Sequence, residues 1–320
     1  MSYDPREYLE PYSFRPYGAA RRVWRLLYPV LLLFIIQGII IGIVIGGRIF
    51  SVTLEMMGGS AAIAGGTLQP LDYEVYMERV LAESADLTMP AFAIAYLATL
   101  VVFGLIWRKT RGYMPEFERP DSAKTALFGV LAVLGGHALI TVLVGLLSQN
   151  QSLGENYQLV EKMMHSGSLP LRLITLVVIG PIVEEFIFRG ILINRAVYWM
   201  PKWAAVAVSA LIFGAMHGNV IQGLYAFLVG LLLGYIYIKT RNIIAAIAAH
   251  MVFNAYDLLL NALSERIAEE TLAAVALTGM LVSLALGVIG AIKFVQAKPA
   301  TVIAAEGEDN ALPPPDDFRV

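Results

Sequence analysis

The sequence predicts an all-α, polytopic transmembrane bundle of about eight spans around an intramembrane cavity, and three observations predict it. First, 58% of the 320 residues are hydrophobic, 15% are charged and the mean hydropathy is +0.68, a balance outside that of water-soluble domains. Second, the apolar residues fall in runs close to the ~20 that a helix needs to cross a bilayer. Third, Lys and Arg gather on alternate connections between those runs, as the positive-inside rule requires of a correct topology.

Taken in order, the runs place spans at 26–48, 89–107, 124–147, 170–193, 203–217, 219–238, 242–261 and 272–293. The first run follows Asp4, Glu7 and Glu10 and is too long for the core of a cleaved signal, so it is expected to be retained. Tyr12, Tyr17, Trp24 and Tyr28 beside it fit an interfacial aromatic belt. Ser51 to Thr88 reads as the longest loop, Gly-rich and then acidic. The chain thus divides into a tail over 1–25, a membrane unit over 26–297 and a disordered tail over 298–320, where Pro313 to Pro315 and acidic residues discourage a packed core.

Eight spans put both termini on one side. That side collects seventeen cations, in the stretches 6–25, 108–124, 195–202, 239–241 and 293–319, against five on the other: Arg48, Arg79, Lys162, Arg172 and Arg266. Both termini are therefore expected in the cytoplasm. The absence of cysteine excludes disulfides and thiolate chemistry. A net charge of -2, with no basic run interleaved with aromatics, excludes nucleic acid as a partner class. The partner this composition implies is the bilayer itself.

Ionisable groups inside apolar helices cost roughly 2.5–3.5 kcal/mol each on insertion scales, so those present need a reason. Span four holds Glu184, Glu185 and Arg189. Glu185 and Arg189 lie four apart on one face, in the favourable order for an ion pair. Glu184, about 100° round the helix, is left for chemistry. Gly180-Pro181 just upstream should loosen the helix and expose backbone carbonyls near the acid. Span five is short and ends on His217 at a Gly218-Asn219 turn; span seven carries His250 and Asn254 on one face. Counted at ~1.5 Å per residue from the terminal side, Glu184, His250, Asn254 and His217 fall at ~14, ~12, ~18 and ~21 Å, all near mid-membrane. Four polar groups at compatible depth on three helices suggest one hydrated cavity. His137 reads as a helix-contact hydrogen bonder and His165 as a solvated loop residue.

At these residues the sequence resembles the CPBP family of intramembrane peptidases, which includes the type II CAAX prenyl endopeptidases and the bacteriocin-processing or self-immunity proteins. The family pattern of Glu-Glu-x-x-x-Arg, Phe-x-x-x-His and His-x-x-x-Asn reads here as EEFIFR from Glu184, FGAMH ending at His217 and HMVFN from His250, within 170–261. The resemblance implies hydrolysis of a peptide bond, with Glu184 activating a water and His217 positioning or polarising it. It also implies hydrogen bonds from His250 and Asn254 to the developing oxyanion, with Glu185 and Arg189 in support. The substrate implied is a peptide or lipidated protein, of the prenylated CAAX type or like a bacteriocin, entering from the membrane. The family is commonly labelled metalloprotease, and Glu184, His217 and His250 are the residues that would hold zinc. The spacing is not the HExxH of zincins, and the reading preferred is a metal-free water with no cofactor. Two rival readings are a non-catalytic immunity or scaffold protein of the same fold and a proton-coupled transporter. No repeated half with matching broken helices favours the transporter.

Overall fold

Hydropathy decides where a helix lies in a bilayer, whereas backbone hydrogen bonding decides where it stops, and the two differ in this chain. The computed structural model describes residues 18–59, 64–66, 72–111, 117–118, 122–164, 166–197 and 200–302. Among them run nine helices: α1 (Ala19–Met56), α2 (Tyr73–Arg111), α3 (Ser122–Leu147), α4 (Gln151–Met164), α5 (169–196), α6 (Lys202–Ala215), α7 (Val220–Thr240), α8 (Ile243–Ser264) and α9 (Glu269–Gln296). Six of them, α1, α2, α3, α7, α8 and α9, are long and apolar enough to cross a membrane. The protein is a multi-pass helical bundle of the expected class.

Both α1 and α2 continue well past their apolar runs, so the expected loop over Ser51 to Thr88 is corrected to a helical hairpin for most of its length. Two of the acidic residues there, Glu55 and Glu83, are paired with arginines. Arg79 donates from Nε to Glu83 Oε1 at 2.7 Å, and it also meets Glu55, while Arg48 meets Glu83. The tails are shorter than composition suggests. α1 begins at Ala19, inside the expected tail over 1–25. Beyond Lys298, Ala300 is buried and donates its N–H to Lys239 O at 2.9 Å, while Thr301–Val302 pairs antiparallel with Phe117–Glu118. Residues 1–17, with Tyr12 and Tyr17, and residues 303–320 lie outside the described part, as does His165. Of the aromatic belt, Trp24 and Tyr28 are described, and Tyr28 accepts from Arg195 at 2.6 Å.

Two features of the bundle position the site. With 14 residues, α6 rises only ~21 Å. It turns at Met216–Asn219 and runs back as α7. Gly218 takes φ +77°, and Asn219 caps α7 by accepting from the Gln222 N–H at 2.8 Å. The two arms touch backbone to backbone: a Cβ on Gly214 would stand 2.5 Å from Gly223 O. The other feature is α5, which alternates between α and π winding, with π segments at Leu173–Ile179 and Phe186–Ile193. Side chains of α5, α1 and α6, among them Phe188, Ile191, Leu192, Leu26, Val30 and Val206, fill the half of the bundle nearer the termini.

Candidate active site

Pro181 decides the local geometry of α5. The Gly180 N–H reaches back five residues to Thr175 O, the π register. The next donor in that register would be residue 181, which has no N–H, so the carbonyl of Leu176 is left without a helical partner. Asn254 on α8 supplies one, its Nδ2 donating to Leu176 O at 2.8 Å. The loosened ladder expected at Gly180-Pro181 is therefore present, and the exposed carbonyl is already in use.

One turn on, Glu184 and Glu185 diverge as the helical geometry requires. Glu185 is fully buried, and its Oε1 accepts from Arg189 Nη1 at 2.8 Å and from His250 Nδ1 at 2.9 Å. Arg189 is equally buried and also donates to Gly230 O at 3.0 Å. A carboxylate beside a guanidinium can only accept, so His250 must carry its proton on Nδ1, and its Nε2 bears the lone pair when the ring is neutral. That Nε2 faces Oε2 of Glu184 at 3.6 Å, beyond a direct hydrogen bond. Glu185 thus does more than brace its helix: it fixes the tautomer and direction of His250.

Glu184 points into a cavity of about 390 Å³, which it lines together with His217, His250 and Asn254. Its Oε1 accepts from the Tyr96 hydroxyl of α2 at 2.9 Å. His217, in the turn between α6 and α7, donates from Nδ1 to Phe213 O at 2.8 Å, because a carbonyl can only accept. Its Nε2 is left for the cavity. The Phe213 ring lies edge-on to both imidazoles, 4.8 Å from His217 and 5.8 Å from His250, under the Arg189 guanidinium carbon at 5.2 Å. Phe213 therefore links the three motifs through one side chain and one carbonyl.

All four residues expected in the site share the cavity, and the supporting pair sits behind it. His137 is the structural group expected, buried and 2.8 Å from Asp257 Oδ1. Sequence reasoning missed Tyr96. Its signal was depth, since ~16 Å from the terminal-side end of its span matches the depth of Glu184. It also missed the outer lining from α4, where Tyr157 packs edge-on to Tyr225 with centroids 6.5 Å apart. Glu184, His217 and His250, the residues that would hold a zinc ion, line one cavity. Among the described residues no three His, Asp or Glu side chains converge as ligands. One oxygen of Glu184 and one nitrogen of each imidazole are engaged, which leaves the second oxygen and the second nitrogens.

A family model described as Rce1-like, type II CAAX prenyl endopeptidase, matches residues 166–256. An "Uncharacterized 24.3 kDa protein" of Escherichia coli is 30% identical over 139 residues, 41% of this chain and 64% of that protein. A Bacillus subtilis (strain 168) protein named "Putative membrane peptidase YdiL" is 29% identical over 93 residues, 29% of this chain and 38% of that protein. The chain spans less than two thirds of the length of each of these relatives. No solved structure matches it. Over residues 166–256, then, this multi-pass membrane protein matches the Rce1-like type II CAAX prenyl endopeptidases, the family that its three motifs resemble.

Proposed function

We propose that the chain is an intramembrane endopeptidase that hydrolyses a peptide bond of a membrane-associated substrate with a water activated by Glu184. The observation that carries this reading is the pairing of Glu184, held on one oxygen by Tyr96, with the oriented Nε2 of His250 across 3.6 Å inside the shared cavity. In this reading the attacking water hydrogen-bonds to Oε2 of Glu184 and to a neighbouring imidazole. Glu184 takes its proton as the oxygen attacks the scissile carbonyl, and later returns a proton to the leaving amine. His217 acts from the hairpin tip on the water or the carbonyl. The second N–H of Asn254, which its bond to Leu176 does not use, serves the oxyanion, a contribution whose loss typically costs about 10²–10³ in rate. No step is routed through a metal. A non-catalytic scaffold of the same fold has no need of the tautomer fixed by Glu185 or the carboxylate held by Tyr96.

The test is cleavage of a quenched-fluorescent peptide library, farnesylated C-terminal peptides included, by purified wild type, Glu184→Ala and His217→Ala, each with and without a strong chelator. Wild-type cleavage lost in both variants and indifferent to chelator supports the reading. Cleavage that survives Glu184→Ala removes Glu184 as the base, and cleavage abolished by chelator and restored by zinc overturns the metal-free water.

A further inference from the structure

From Leu26 to Gly47, α1 carries polar atoms on two side chains, Tyr28 and Gln37. An amide moved from water into hydrocarbon without a hydrogen-bond partner costs roughly 2–7 kcal/mol, so the place of Gln37 needs a reason. Counted from Leu26, it lies ~16 Å along the helix, level with Tyr96 and close to the depth of Glu184. Leu33, one turn earlier on the same face, belongs to the buried cluster that holds Ile187 and Phe188 of α5. That face turns Gln37 inward, and it lines the same cavity as Glu184.

The wall that α1 and α2 give this cavity is apolar at Leu33, Phe34 and Phe92, and its other polar group, the Tyr96 hydroxyl, is committed to Glu184. Elsewhere in the lining, His217, His250, Asn254 and Asp257 each have a hydrogen bond within the protein. Among the described residues the Gln37 amide has none. We propose that Gln37 binds the backbone of the substrate near the bond that is cut, its Oε1 accepting a peptide N–H and its Nε2 donating to a peptide carbonyl. A peptide group carried into the cavity gives up water at both its N–H and its C=O. A carboxamide offers an acceptor and donors to match them, with no charge of its own to desolvate. The contact grips a peptide without reading its side chains, and it places a binding residue on a helix outside the matched segment 166–256. This rests on the peptidase reading for what is bound.

Binding is measured on Glu184→Gln, which lacks the base, so that the peptides persist. Fluorescent peptides are titrated in detergent and read by polarisation, with and without Gln37→Leu, which keeps much of the side chain's bulk and removes both hydrogen-bonding atoms. The second substitution should weaken binding about 5- to 30-fold, the worth of two such bonds, without lowering the thermal unfolding midpoint. Each backbone N–H of the peptide is then replaced in turn by an ester oxygen. At one position the ester should weaken binding to Glu184→Gln about 2- to 10-fold, and that penalty should vanish once Gln37→Leu is added. Ester penalties equal in the two backgrounds, affinity unchanged by Gln37→Leu, or no peptide bound by Glu184→Gln each overturn the proposal. Binding requires no catalysis. Peptides held through Gln37 but never cleaved by the wild type count against the peptidase reading and leave this one standing, whereas a Gln37→Leu enzyme with wild-type kcat/KM overturns this one and leaves the peptidase reading.

Discussion

Tyr96 of α2 donates its hydroxyl to Oε1 of Glu184 of α5 at 2.9 Å, which joins the family motif to a helix that carries none of it. A carboxylate on a bare helix samples several rotamers; one oxygen held by a phenol leaves the other turned towards His250. Activity should therefore depend on a residue outside the matched segment. Tyr96→Phe keeps the ring and its packing beside Gly180, whose added Cβ would lie 3.5 Å from it. Hydrogen bonds to charged groups contribute ~1.5–3 kcal/mol, so kcat should fall about 10- to 100-fold with KM little changed. Steady-state kinetics on a cleaved peptide decide this; a rise in KM at constant kcat would make Tyr96 a substrate-binding residue instead.

Glu184 itself should separate activity from stability. It is partly exposed to the cavity and accepts from the Tyr96 hydroxyl, unlike the sealed Glu185. Glu184→Gln keeps the shape and the bond from Tyr96 but removes the base. Cleavage should drop by roughly 10²–10⁴, the usual span of general-base catalysis, with the thermal unfolding midpoint in detergent close to wild type. A large fall in that midpoint would mean that Glu184 holds the fold.

Glu185 and Arg189 should behave in the opposite way. Both are buried and share a 2.8 Å ion pair, and removing one partner strands the other, at about 3–5 kcal/mol. Glu185→Leu and Arg189→Met are each expected to lower the unfolding midpoint strongly, and the double variant should recover part of the loss. Its cleavage should stay low, because His250 loses the acceptor that fixes its tautomer. Additive losses in the double variant would show that the pair is not coupled.

Much of the architecture was legible because burial in lipid writes itself into composition. Runs without charge, such as those in α3 and α9, have no other stable place. What composition could not show was where backbone geometry overrides it. α1 and α2 run on past their apolar stretches, where Arg48, Arg79, Glu55 and Glu83 neutralise one another. α4 is mixed in sequence and reads as loop, yet one face of it meets Tyr225. In the site, the spacing of Glu184, Glu185 and Arg189 gave their directions correctly, since helical geometry fixes them. The bond from Glu185 to His250 and the one from Tyr96 to Glu184 join helices far apart in the chain, and spacing carries no record of such contacts.

Asn254 holds two candidate tasks in one amide, and a pair of substitutions separates them. Its Nδ2 donates to the Leu176 carbonyl, which has no helical donor because residue 181 is proline. Asn254→Ala should thus cost about 1–3 kcal/mol of stability by leaving that carbonyl unsatisfied. Pro181→Ala returns an N–H at the position that the π register would use, so Asn254→Ala with Pro181→Ala should regain most of the lost stability. Cleavage is a separate matter. If the second N–H of Asn254 serves the oxyanion, the double variant stays about 10²–10³ slower than wild type although it is stable again. Unfolding midpoints and initial rates on the same four proteins decide it. Rates recovering together with stability would confine Asn254 to the backbone of α5, and a double variant no more stable than Asn254→Ala would show that the proline is not what leaves Leu176 in need of a partner.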